Sequence, residues 1–162
     1  MSSQRWEVVN PPALGAPRGW NNGMLAPAGG RVLFVAGQIG VEAGDDEAGA
    51  AAESVSPKVL AKQFGVALAR VVQVVEAAGG QVADIGRLTI YVTEIESYRR
   101  GLAEVGAAYR SALGRHFPAM ALAAVTELVD PRAVVEVEAT AVIPQARPDQ
   151  LSAIDPLAKE QP

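Results

Sequence analysis

Residues 117–142, FPAMALAAVTELVDPRAVVEVEATAV, restrict the possible folds more than any other stretch of the chain. The pattern predicts two β-strands, at about Ala119–Val125 and Ala133–Ile143, joined by the turn Leu128-Val129-Asp130-Pro131. Proline fixes φ and cannot donate to a ladder, so it ends the pairing there. Side chains alternate along a strand. Val135, Val137, Ala139 and Ala141 therefore share one face, and Glu136, Glu138, Thr140 and Val142 share the other. Two carboxylates at this spacing on an otherwise apolar strand have two readings. They are the solvated side of a half-buried sheet, or one of them lines a pocket where the sheet meets another element.

The segments upstream supply what such a sheet packs against. Ser56 reads as an N-cap and Pro57 suits the first helical position. Leu60, Phe64, Ala67, Leu68, Val71, Val75 and Ala78 then recur at three and four, giving one apolar stripe for core packing, and Gly79-Gly80 supplies the stop. RVLFVAGQIG, residues 31–40, is the strongest strand signal; Gly37 permits close approach of another group, and Gln38 places an amide beyond it. Residues 85–95 read as a strand with Leu88, Ile90 and Val92 inward, and Ser97 as the cap of a second helix reaching about Leu113.

Gly101 and Gly106 weaken that second helix by up to about 1 kcal/mol each relative to alanine. Trp6–Val9 reads as a short strand, hairpin-paired with 31–40. The loop 15–30 contains Asn22-Gly23, which favours a tight turn. Trp20 in that loop reads either as a packed turn residue or as part of a pocket lid. His116 reads as a solvated loop histidine. Asp45-Asp46-Glu47 lacks the spacing of a calcium loop and reads as a solvated hairpin tip. Residues 1–143 form a single domain, and the proline-rich 144–162 a mobile or surface-wrapped tail, removable after Gln150 without large loss.

Composition narrows the function. The chain has 162 residues, 49% hydrophobic, enough for one core. A net charge of −4 and pI near 5.0 argue against a nucleic-acid surface. Without cysteine there is no disulfide, thiolate catalysis or zinc–thiolate site. No apolar run approaches a membrane span and no signal segment opens the chain, so a cytoplasmic protein without membrane or nucleic-acid partner is expected. No metal site and no cofactor are implied.

The element order β, β, α, β, α, β, β predicts an α+β fold with two helices on one face of a mixed sheet. Val32–Val35, Ala119–Val125 and Val134–Val142 read as apolar on both faces. One sheet face then has no helix to cover it, and a homo-oligomer is the physical solution.

Four stretches in order are similar to those of one family. RVLFVAGQIG resembles a strand ending in Ser-Gly-Gln; Val74–Gly80 with Ala83-Asp84-Ile85 and Thr89–Thr93 resembles a helix end and the next strand; Phe117-Pro118-Ala119 resembles a Pro-Ala step; VVEVEATAV resembles a final Glu-x-Glu-Ala strand. By these the chain resembles the Rid (YjgF, reactive intermediate deaminase) family, often labelled endoribonuclease L-PSP. The resemblance implies a chorismate-mutase-like fold, a homotrimer with a barrel-like core, and a small-molecule ligand in the cleft between subunits.

The best-known members hydrolyse enamines and imines such as 2-aminoacrylate. The resemblance places the site at Trp20, Ala36, Gly37, Gln38, Gly106, Met120 and Glu136, with Glu136 as the catalytic carboxylate. Met120 stands where the family has arginine, Gly106 where an asparagine is common, Trp20 for a tyrosine and Ala36 for a serine. A thioether cannot make the bidentate pair of guanidinium with carboxylate, so 2-aminoacrylate deamination is not expected to carry over. With Glu136 retained, the cleft is expected to suit a neutral or cationic ligand, unless Arg18 or Arg132 substitutes for the missing cation. The implied function is hydrolysis of an imine, enamine or related metabolite. The alternative is a non-catalytic metabolite-binding protein using the same cleft. Ribonuclease activity is disfavoured by the acidic pI, 5% aromatics and the lack of a basic cluster.

Overall fold

A computed structural model describes residues 6–42 and 55–145. The acidic segment Asp45-Asp46-Glu47 and the tail beyond residue 145 lie outside the described residues. The fold is α+β. A four-stranded mixed sheet has the order β3 (Arg31–Ile39), β6 (Val135–Ile143), β4 (Ile85–Val92), β5 (Ala119–Ala124). β6 is antiparallel to both neighbours, and β4 and β5 are parallel. The helices are α1 (Pro57–Ala77), α2 (Ile95–Arg100) and α3 (Leu102–Leu113).

α1 forms as its signals require. Ser56 accepts a hydrogen bond from the Val59 amide, Pro57 opens the first turn, and Gly79 takes φ 82° after the last. A side-chain cap of this kind stabilises a helix by about 1 kcal/mol. Its stripe Leu60, Phe64, Leu68, Val71 and Val75 is buried against β3 and β6. Val135, Val137, Ala139 and Ala141 meet it from β6, and Leu88, Ile90 and Val92 from β4. Full burial of each large apolar side chain contributes roughly 1.5–3 kcal/mol. Gln63 is a polar exception in this core. Its amide donates to Arg132 O at 3.0 Å and accepts from Val134 N at 2.8 Å, tying α1 to the entry of β6. Arg70 of α1 grips the exit of β3, donating to Ile39 O and Val41 O.

Four local expectations are corrected. β5 and β6 follow each other in sequence but are not neighbours, because β4 lies between them. The first short strand, β1 (Glu7–Val9), pairs with β2 (Gly23–Leu25) rather than with β3. Asn22-Gly23 leads into β2 instead of making a left-handed turn, and Gly19, at φ 83°, takes that conformation in the same loop. Ser97 is no cap: it lies buried within α2, and its hydroxyl donates to Val55 O. The helical run breaks at Gly101, which starts α3 afresh.

His116 is half-buried and engaged rather than solvated. Its Nε2 lies 2.7 Å from Ile85 O, and its carbonyl accepts from the Tyr109 hydroxyl at 2.6 Å. The helix-free sheet face is less apolar than expected. Val32 and Phe34 of β3 are exposed on it, Phe34 at 80%, and Ala121 and Ala123 of β5 are small. Between them runs a polar strip, Arg87, Thr89, Glu138 and Thr140, because β6 alternates strictly and its polar residues all point away from α1.

Candidate functional site

α3 packs on α1 and leaves a gap above the β4–β5 edge of the sheet. The gap is a cavity of about 590 Å³. Ile90, Met120 and Leu122 form its floor, because in the parallel register Leu88–Met120 and Ile90–Leu122 share the helix-side face. Phe64, Tyr98, Tyr109 and Phe117 add aromatic walls. Tyr109 stacks on Phe117 with ring centroids 5.5 Å apart and planes 2° apart. Burial pushes the Tyr109 phenol well above its ordinary range and raises that of Tyr98.

A loop brings Arg18, Gly19 and Trp20 to the cavity mouth. Asn21 anchors it. Its amide NH₂ donates to Phe117 O at 2.6 Å, and its backbone N–H donates to Pro118 O at 3.1 Å. Asn10 holds the same turn, donating to Asn21 Oδ1 and accepting from the Asn22 amide. Trp20, 45% exposed, lines the cavity at this loop.

The residues singled out in the sequence fall into two groups. Trp20, Gly106 and Met120 meet at the cavity. Ala36, Gly37, Gln38 and Glu136 meet elsewhere, around an irregularity in β3 between Val35 and Gln38. There the Glu136 carboxylate covers Gly37, and an ideal Cβ at residue 37 would lie 1.7 Å from Glu136 Oε1. Gln38 folds back to donate to Ala36 O. Glu136 alternates with buried Val135 and Val137, so it sits on the helix-free face while Met120 faces the helices. Within the chain Glu136 does not line the cavity.

The candidate cations separate likewise. Arg18 lies at the cavity. Arg132 lies at the turn before β6, paired to Asp130 through its Nε at 3.1 Å and Nη2 at 2.8 Å. These hydrogen bonds hold the Asp130 carboxyl below its ordinary range. A second cavity cation, Arg110 of α3, was not singled out in the sequence. Its signal was there: Arg110 follows Gly106 by four, which puts both on one helix face. No carboxylate lines the cavity among the described residues, so the expectation of a neutral or cationic ligand finds no acidic group there. Nor do any three His, Asp or Glu side chains among the described residues form a metal-binding group. No helix among them is long and apolar enough to cross a membrane.

Comparison with known proteins accords with this architecture. Among solved structures the chain is similar to the Rid-family protein YyfB of Yersinia pestis, of unknown function, at 28% identity and TM-score 0.64, covering 86% of this chain and 99% of that one. It is similar to the YjgF gene product of E. coli at 29% identity and TM-score 0.53, covering 82% and 92%. E. coli TdcF, solved with bound serine, is 25% identical with TM-score 0.52, covering 87% and 95%. A search of curated proteins finds no match. The family model described as endoribonuclease L-PSP matches residues 13–143, from the loop that carries Trp20 to the end of β6, and the chain belongs to this YjgF/Rid family.

Proposed function

We propose that this protein binds a small organic metabolite in the cavity beneath α3 and deaminates 2-aminoacrylate poorly or not at all. The observation that carries the reading is the meeting of Trp20, Gly106 and Met120 around one cavity of about 590 Å³. That volume is within the ordinary range of ligand sites, and the lining is mainly apolar and aromatic with few polar groups. TdcF was solved with serine bound, a small amino acid with a carboxylate. Here the floor residue Met120 offers a thioether, which cannot pair with such a group.

A second reading, hydrolysis of an imine or enamine, draws on Glu136. Its carboxylate is held against the backbone at Gly37, a place from which it could orient a water. Glu136 and Met120 face opposite sides of the sheet, so a single ligand using both would lie between subunits, as expected for a trimer.

The test is ammonia and pyruvate release from 2-aminoacrylate generated in place by a serine dehydratase. Wild-type protein is expected to add little to the spontaneous rate. Met120→Arg should strengthen serine binding by about 10- to 100-fold, the worth of a charge-assisted contact. Wild-type turnover matching that of arginine-bearing relatives would overturn the reading.

A further inference from the structure

Gly106 is half-buried at the cavity rim, and the Arg110 guanidinium lies over it. An ideal Cβ at residue 106 would stand 3.2 Å from Arg110 Nη1 and 3.9 Å from its Cζ. The missing side chain thus makes the seat on which this guanidinium rests. On a helix, residues four apart are neighbours, and long side chains lean back toward the N-terminus. Glycine costs helix stability, and here it leaves room for the guanidinium against α3 at the cavity.

We propose that Arg110, seated on Gly106, is the anion anchor of this cavity, and that it selects elongated aryl carboxylates over three-carbon anions. The inference rests on the proposed use of the cavity. Three observations support it. Arg110 and Arg18 stand on opposite elements of the mouth, α3 and the Asn21-anchored loop, and neither has an ion-pair partner among the described residues. No carboxylate lines the cavity among those residues, so the charged side chains that line it are both cationic. Both arginines are exposed, whereas Met120 and Leu122 on the floor are half-buried. Charge therefore sits at the mouth and apolar surface beneath. A ligand matched to this gradient puts a ring on Met120 and Leu122 and a carboxylate outward, where the planar guanidinium makes two parallel hydrogen bonds. A three-carbon anion would fill only a small part of a cavity of about 590 Å³.

The experiment is calorimetric titration with 3-phenylpropanoate and its neutral isostere 3-phenylpropanamide. The wild type should bind the carboxylate about 5- to 50-fold tighter, a range that allows for a solvent-exposed contact. The preference should shrink as salt rises from 0.01 to 1 M, roughly the range over which charge screening becomes complete. Arg110→Met should bring the ratio close to one while amide binding stays. Gly106→Val keeps the charge but removes its seat, and should lower the ratio as well. Circular dichroism would check that both variants fold, and the salt series tests the charge without any variant. Equal binding of the two probes by the wild type, or an undiminished preference in Arg110→Met, overturns the anchor and leaves the cavity reading standing. Failure of both probes to bind overturns the inference and the cavity reading together.

Discussion

The Glu136 carboxylate occupies the space a side chain at Gly37 would need, with Oε1 at 1.7 Å and Cδ at 2.6 Å from an ideal Cβ. Gly40, three residues on, faces an obstacle of another kind: an ideal Cβ there lies 2.0 Å from the backbone O and 2.4 Å from the backbone C of Gln63. A carboxylate can swing away, but the middle of α1 cannot. Gly37→Ala should therefore leave stability within about 1 kcal/mol and displace Glu136, seen as a change in its carboxyl resonance. Gly40→Ala should cost about 3 kcal/mol or more in urea unfolding, because it separates α1 from the exit of β3 and strains the Gln63 bonds to Arg132 and Val134. Equal losses at the two positions would show that the β3 exit can move off α1 freely.

Phe34 predicts assembly. It is 80% exposed on the helix-free face, with exposed Val32 beside it and Thr140 opposite on β6. A ring this size left in water on a sheet face marks an interface. A homotrimer of about three times 16.8 kDa is expected by light scattering at micromolar concentration. Phe34→Glu should yield smaller species, since burying a carboxylate at a symmetric contact places like charges together. A wild-type monomer would refute the use of this face.

Tyr109 predicts alkaline behaviour. Burial raises its phenol well above the ordinary 10.0, and its hydroxyl donates to His116 O. An acid whose folded value is raised contributes stability that is complete below the unfolded value and is lost as pH rises above it. The protein should therefore weaken above about pH 10, with Tyr109 ionising only on unfolding, followed at 295 nm. Tyr109→Phe should abolish that part of the alkaline loss and cost about 1 kcal/mol at neutral pH, from the lost hydrogen bond. Ionisation of all three tyrosines in the folded state would contradict this.

Local rules were enough for several elements. The Ser56-Pro57 start and the three-and-four spacing through Val75 place α1, because capping and amphipathicity act within a few residues. The alternation from Val135 to Ala141 determines which face of β6 is buried, because a strand has a period of two. The four stretches around Gly37, Gly80, Pro118 and Glu136, taken in order, pointed to the family whose model matches residues 13–143.

Only the tertiary structure decided neighbours and sites. β5 and β6 are consecutive yet separated by β4, a choice made by closing one core under α1 rather than by the turn at Pro131. Ser97 sits deep in α2 because Val55, 42 residues earlier, needs its hydroxyl. The cavity exists because Asn21 reaches Phe117 O across 96 residues, carrying Arg18 and Trp20 to Met120. Arg132, as near in sequence to a site segment as Arg18, turns instead to Asp130. Periodicity and caps are local energies and can be read along the chain. Which distant groups meet depends on how the elements share one buried volume, and that is set only when the chain has closed.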